Sequence, residues 1–440
     1  MKMMKRLYLL LLCLCPMWAQ AQSENEIRKA LDAFDYEIPI KQVTPASGDV
    51  VLTPLRAQAL KAMNRYLEAL KEWNSLLTPD SADTKVLAEL AECYRQVSRS
   101  NLAAQCYAKA VTLNPENKFF RQQHIRTLLT SENYEEAIGA ALCWLEKDSL
   151  SATAYKFLGM AYQGLGKEDP EAFSNAYSAY YTAYSLDSLD AQTVAHLGAI
   201  CNDSKEYSDA LDFTETYRLT DTLNIDVNRQ NAKAYCMMKD YEKAVERYES
   251  LKRMGDRSFT TLYYLGISHY GDEWFYGAQE NLLLAYKKNP NDVNLLYYLG
   301  KSCSRTSWKK DGVEYLKKAL EITVPEDSVL LHLYEGLAEC YGRWHEADPY
   351  EEIEVLKKTY ALNKKYTIFF KIAEVYERQK DYANAIYYYE KYMKMVPENK
   401  RMALDEEGKP KLGWTSLYQI AERKIEKIKE ESFFRDGLKK

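Results

Sequence analysis

The side chains best equipped for chemistry in this 440-residue sequence are five histidines, His124, His196, His269, His332 and His345, and seven cysteines beyond residue 21, Cys93, Cys106, Cys143, Cys201, Cys236, Cys303 and Cys340. An imidazole can shuttle a proton or bind a metal, and a thiolate can attack an electrophile, but each needs partners that converge on it. The spacing supplies none. There is no HExxH, CxxC or EF-hand pattern, no GxxxxGK[ST] or GxGxxG opening a helix, and no GxSxG. The histidines fall one to each of five separate stretches. Adjacent carboxylates such as Glu135–Glu136 and Glu351–Glu352 read as solvated helix faces. Seven thiols, an odd number at wide spacing, read as buried free cysteines acting as small apolar groups rather than as a disulfide framework. Nothing here argues for an enzyme, a metal or a cofactor.

Binding is the better question, and it leads to the elements that would carry it. "DYANAIYYYEKYMKMVPEN" (381–399) and "SNLAAQCYAKAVTLNPEN" (100–117) share one grammar: a small residue, an aromatic four later, and a closing proline. Ala69, Ala103 and Ala137 stand 34 apart. After a step of 39 comes Ala176, then Ala210, Ala244, Ala278 and Gly312 at 34 again, with Ala385 closing the series beyond a unit that carries Glu352 at this place. A fixed period must be read before any local motif. A second ladder runs upstream, through Leu90-Ala91, Leu158-Gly159, Leu197-Gly198, Leu265-Gly266, Leu299-Gly300, Leu337-Ala338 and Ile372-Ala373, often with a tyrosine three later, as at Tyr94. Positions 4, 7, 8 and 11 of each unit share one helical stripe. Each unit is therefore two amphipathic helices and a short turn. Small residues sit where helices approach closely, Tyr fills the gaps between pairs, and Pro115, Pro290 and Pro397 end second helices.

The pattern resembles the tetratricopeptide repeat. Leu87, Leu90, Ala91, Tyr94, Ala103, Tyr107, Ala110 and Pro115 match it in one unit, and Leu265, Gly266, Ala278, Ala285 and Pro290 in another. Gly159, Gly198, Gly300 and Tyr389 occupy further structural positions. Units start near residues 50, 84, 118, 152, 191, 225, 259, 293, 331 and 366. The resemblance implies an all-α, right-handed superhelical solenoid of about ten or eleven helix pairs. Two units depart from it. The one at 118 has His124-Ile125 in place of Leu-Gly, and the one at 331 has lost its Ala. Extra residues fall at "GKEDPEAF" after Gly164 and at 342–352, where Trp344, His345 and Tyr350 belong to a longer loop.

Family members hold peptides on the inner face formed by positions 2, 5, 9 and 12 of each first helix, so the resemblance implies that use here. In the middle of the array this stripe reads Arg229, Lys233, Tyr263, Tyr270, Tyr297 and Lys301. Interleaved aromatic and basic residues suit an extended peptide or an acidic segment. The family's carboxylate clamp is not reproduced: Lys156 is in place, but Met160 and His196 stand where asparagines are needed. The expected function is a non-enzymatic protein-protein interaction scaffold or adaptor with a partner segment in the groove. A carrier for small or glycan ligands using stacked Tyr is the alternative.

The ends complete the reading. "MKMMKRLYLLLLCLCPMWAQAQS" has a basic start, an apolar run too short to span a bilayer, and the Ala19-Gln20-Ala21 cleavage pattern. Residues 1–21 read as a signal peptide, which implies export to a bacterial periplasm or envelope and no membrane span after cleavage. Residues 22–49 read as a worn capping repeat with Pro39 where Ala belongs, 50–400 as the array, and 401–440 as a polar connector, a capping helix with Leu417, Ile420, Ala421, Ile425 and Ile428 on one stripe, and a tail. A formal charge of −5 without basic clusters argues against nucleic acid. The partner is a protein or peptide of the envelope, and self-association is left open.

Overall fold

Seven consecutive first helices begin at a side chain that satisfies free N–H groups of the opening turn. Asp83 accepts from Lys85 N, Asn117 from Phe119 N, Ser151 from Ala154 N, Asp190 from Thr193 N, Asn224 from Val227 N, Ser258 from Thr261 N and Asp292 from Leu295 N. These caps recur with the period of the repeat, apart from the one longer step, and each removes an unpaired donor that would otherwise face the next pair. Seven of the first helices end in a left-handed residue. Asn64, Ser98, Glu132, Lys205, Lys239, Glu273 and Lys380 have φ between 57° and 66°. Three residues after the helix, the N–H of Arg65, Arg99, Asn133, Glu206, Asp240, Trp274 and Asp381 reaches back to a carbonyl five residues earlier, at 2.8 to 3.0 Å. That is a Schellman turn, and it swings the second helix back onto the first.

The computed structural model describes residues 24–77, 83–166, 169–324, 326–343, 346–402 and 415–437, with side chains to residue 431. The signal-peptide reading, Trp344, His345 and most of the 401–416 connector lie outside them. The described residues contain helices and no strand. The chain forms two compact units that divide after Ile200. In the first, α1 (24–32) and α2 (Glu37–Gln42) precede the pairs α3 Leu52–Ala62 with α4 Tyr66–Ser75, α5 Thr84–Gln96 with α6 Ser100–Leu113, α7 Lys118–Thr130 with α8 Tyr134–Lys147, and α9 Ala152–Leu165 with α10 Pro170–Leu186. Helix α11 (Ala191–Asp203) runs through the division. The second unit holds α12 (Tyr207–Arg218) and the pairs α13 Ile225–Met237 with α14 Tyr241–Arg253, α15 Phe259–Gly271 with α16 Phe275–Tyr286, α17 Val293–Arg305 with α18 Lys309–Ile322, α19 Asp327–Arg343 with α20 Pro349–Asn363, and α21 Thr367–Arg378 with α22 Tyr382–Met395, followed by α23 (Leu417–Gly437).

Within a pair, the small residue at position 8 of the first helix lies under the large residue at position 24 of the second. A Cβ on Gly266 would stand 2.5 Å from Leu282, and one on Gly300 2.5 Å from Leu316. Tyr107, Tyr180, Tyr248 and Tyr389 fill the same place and are buried. The alanine series from Ala69 to Ala278, and Ala385, is fully buried. In the tyrosine-rich stretch 381–399, Tyr389 and Tyr392 are core while Tyr387 is exposed.

The ends are closed in different ways. At the start, Ile27, Val43 and Leu55 form a small core. The buried Arg56 guanidinium donates to Glu72 at 2.9 Å and to the carbonyls of Ile40 and Val43, while Glu72 accepts from Ala46 N at 2.7 Å. This buried ion pair ties the leading segment to α3 and α4, and Pro39 sits in the first turn of α2, where a missing N–H costs nothing. At the far end Ala421, Ile425 and Ile428 of α23 bury against Phe370 and Tyr389, and Leu417 stays exposed. Among the described extra residues of the two longer units, 170–173, 342–343 and 349–352 are helix, so Tyr350 lies in a helix and not in a loop. Helices α10 and α19 each run to 17 residues, and the prolines Pro170 and Pro349 open second helices at their first turn.

Lysine is a poor residue for a left-handed turn. Lys239→Gly should therefore raise the free energy of unfolding by about 1 kcal/mol, because the steric cost of a Cβ at positive φ disappears. Urea titration of both chains measures this. Lower stability in the variant would mean that the Lys239 side chain contributes more than its backbone costs.

Candidate functional site

The six residues of the inner stripe come from three consecutive first helices of the second unit, α13, α15 and α17. All six are half-buried. Their charges are already engaged. Arg229 donates through Nε at 3.3 Å and Nη2 at 2.9 Å to Asp256, and through Nη1 at 2.8 Å to Asp226. Lys233 bonds Asp203 at 2.8 Å, and Lys301 pairs with Glu339. Asp256 also accepts from the Thr261 hydroxyl at 2.7 Å and from Ser258 N at 3.0 Å. Burial opposes the Asp256 charge, but the hydrogen bonds from Thr261, Ser258 and Arg229 outweigh it and hold the carboxyl at about 2. Arg229 thus fastens α13 to the turn before α15.

The tyrosines lean on one another. Tyr263 stacks on Phe259 with centroids 5.5 Å apart and meets Tyr264 edge-on at 5.1 Å. Tyr270 meets Phe275 and, from the next repeat, Tyr298, while Tyr297 touches Tyr298 and His332. Burial raises all three hydroxyl pKa values. The stripe is an aromatic surface whose rings are held by contacts with neighbouring rings.

The same stripe continues into a cleft of about 540 Å³ lined by α17, α19, α20 and α21. Four bases, Lys301, Arg343, Lys371 and Arg378, and four acids, Glu335, Glu339, Glu352 and Glu374, line it over apolar patches at Leu356, Ile368 and Val375. Glu339 is shared by Lys301, Arg305 at 3.6 Å and Arg343 at 3.3 Å. Burial opposes its charge, yet these cations hold its pKa below the usual range. Glu352, at the place of the lost alanine, is buried and pairs with Arg378. Burial raises its pKa, the Glu374 charge adds to the rise, and Arg378 opposes it. A carboxylate held against its preference in a cleft is a functional-site signature. Glu335, Glu339 and Glu374 occupy positions 5, 9 and 9 of the next two repeats, so carrying the same positional rule further along the chain finds them. Glu352 was visible only as a gap in the alanine ladder.

The chemically capable residues stay dispersed. Among the described residues no group of three or more His, Cys, Asp or Glu is arranged to hold a metal. The seven cysteines are free thiols. Burial pushes Cys93 and Cys201 up to about 11 and Cys303 and Cys340 to about 12, which makes them poor nucleophiles at neutral pH. His196 stacks on Tyr180 and contacts Gln163, and burial holds His124 and His269 below the ordinary imidazole range. No helix among the described residues is long and apolar enough to cross a membrane.

Two family profiles match the chain: "Psidin, N-terminal TPR repeats region" over residues 16–142 and "Tetratricopeptide repeat" over residues 366–399. Anaphase-promoting complex subunit 3 of Schizosaccharomyces pombe is 24% identical over 179 residues, 40% of this chain. The match spans about a quarter (26%) of that relative's length. A tetratricopeptide repeat protein from Parabacteroides merdae superposes with a TM-score of 0.42 at 13% identity, over 58% of this chain and 98% of its own. Human IFIT1, solved as a dimer with m7Gppp-AAAA, gives a TM-score of 0.41 at 14% identity, over 85% of this chain and 94% of its own.

The Asp256 geometry has a pH signature. Its folded pKa lies below the ordinary aspartate value of 3.8, so its stabilisation is present above about 4 and is lost as pH falls toward about 2. Asp256→Asn should be less stable than the parent at pH 7, with the difference shrinking across that window in urea titrations at a series of pH values. A difference independent of pH would remove the charged Asp256 from the account.

Proposed function

We propose that this tetratricopeptide-repeat protein is a non-enzymatic protein-interaction scaffold that receives an extended partner segment along the first-helix stripe of its second unit, seated in the cleft between α17 and α21. The observation that carries this reading is Glu352. In every other unit from Ala69 to Ala385 the position holds Ala or Gly, and a buried carboxylate is a costly replacement unless something beyond packing is gained. The cleft offers charges of both signs over apolar patches, which matches the mixed character of a peptide better than a purely acidic or purely apolar ligand. Stable hairpin-on-hairpin packing keeps that surface preformed, so a partner meets little reorganisation.

A photo-crosslinking residue at Lys371, exposed in the cleft, should capture proteins in cells that the same residue at Lys427, 74% exposed on α23, does not. Identical captures from both sites would remove the cleft from the proposal.

The basic start, apolar run and Ala19-Gln20-Ala21 support export to the envelope as the setting for this scaffold. Mass spectrometry of the protein recovered from its native cell should find Gln22 as the mature N-terminus. A chain retaining residues 1–21 in the cytoplasm would overturn the export reading.

A further inference from the structure

The repeat that begins at residue 118 breaks the packing rule at four places, and three of the residues concerned, Arg121, His124 and Ile125, line one pocket. Position 8 carries Ile125 instead of a small residue, and position 24 carries Ala141 instead of a large one. Both are buried, so the bulk has moved from the second helix to the first and the pair still closes. Position 7 carries the half-buried His124 where other repeats bury Leu90, Leu265 or Leu299. Position 4 carries Arg121 where others bury Leu87, Leu262 or Leu296. Arg121 and His124 line a pocket of about 230 Å³ between α6, α7 and α8.

We propose that this pocket binds a carboxylate carried on a short apolar stem, with the Arg121 guanidinium as its counter-charge. Arg121 is 7% exposed and cannot lose its proton. Its hydrogen-bond acceptor is the Pro115 carbonyl, and the nearest carboxylate oxygen, on the exposed Glu116, is 3.8 Å away. A buried cation without a hydrogen-bonded anion is strongly disfavoured, and a ligand carboxylate would meet its planar fork. The buried Trp144 indole N–H, which has no hydrogen-bond partner among the described residues, is in the same wall, with Arg121 lying 6.0 Å from the ring centroid. No acid lines the pocket among the described residues, whereas Val111 and Ile125 give it apolar walls. One permanent buried charge, aided by the exposed Lys147, suits a monoanion better than a phosphate. The volume is below the usual range for drug-sized ligands and corresponds to about eight waters, the size of one side chain or a small acid. The site uses position 4 and the second helices, not the inner stripe of positions 2, 5, 9 and 12, and is independent of the α17–α21 cleft.

The test follows the indole ¹⁵N–¹H signal of Trp144 in the full chain, assigned with Trp144→Phe. Hexanoate should move that signal, and hexanol and hexylamine, which share its stem, should not. An acetylated tripeptide ending in a free Leu carboxylate is compared with its amide. Movement by the free-carboxylate peptide alone would identify a chain terminus as the source of the anion, and movement by hexanoate a small free acid. Arg121→Leu, which restores the residue of other repeats, should weaken binding roughly ten- to a hundredfold, and Arg121→Lys by less. Circular dichroism confirms that both variants fold. Equal movement by hexylamine or hexanol, unchanged binding in Arg121→Leu, or no movement by any carboxylate at millimolar concentration would overturn the proposal.

Discussion

The structure depends on how closely two helices of one hairpin can approach. At position 8 the first helix offers a hydrogen or a methyl group, and at position 24 the second sets an aromatic or leucine side chain directly upon it. The spacing between helix axes depends on what stands at the contact, so each Gly-to-Leu or Ala-to-Tyr contact sets the distance for its pair. A hairpin built this way has an apolar flank it cannot cover alone, and only the next hairpin covers it. Caps and left-handed turns serve the same end. They bring the two helices together at a fixed angle, with few unpaired backbone groups left at the junctions.

Within such a rule, departures carry information. The repeat at 118 exchanges large for small across its own contact and admits an arginine and a histidine into its wall. The unit at 331 lengthens its first helix and replaces a buried alanine with a glutamate. Both keep their pairing, so the sequence there is not merely decayed. Each departure opens space lined by charged or donor groups that the regular repeats do not have: a small cationic pocket in the first unit and a mixed-charge cleft in the second.

The inner stripe illustrates the difference between a position and a role. Positional counting brought Arg229, Lys233 and Lys301 to one side of their helices. The structure engages each with an acid 27 to 38 residues away in the chain. Such acids are invisible to a count that looks only along first helices. Arg229 is as much a fastener between repeats as a part of the surface. Tyr263, Tyr270 and Tyr297 likewise rest on neighbouring rings, Phe259 and Tyr298 among them, which stiffens the surface they present.

The sequence alone determined the helical repeat, its period, its small-residue contacts and the two units that deviate, because each of these is a local pattern of size and polarity recurring along the chain. The caps from Asp83 to Asp292 were equally legible in residue type. The left-handed turns were not, since Lys239 and Glu273 carry none of the chemistry that marks a turn. Only the tertiary structure decided which charges are paired and which carboxylate is pressed into a cleft, and it alone left the nearest carboxylate, on the exposed Glu116, 3.8 Å from the Arg121 guanidinium. Those outcomes depend on distances between groups a full repeat apart, where burial and Coulomb forces act through space rather than along the backbone.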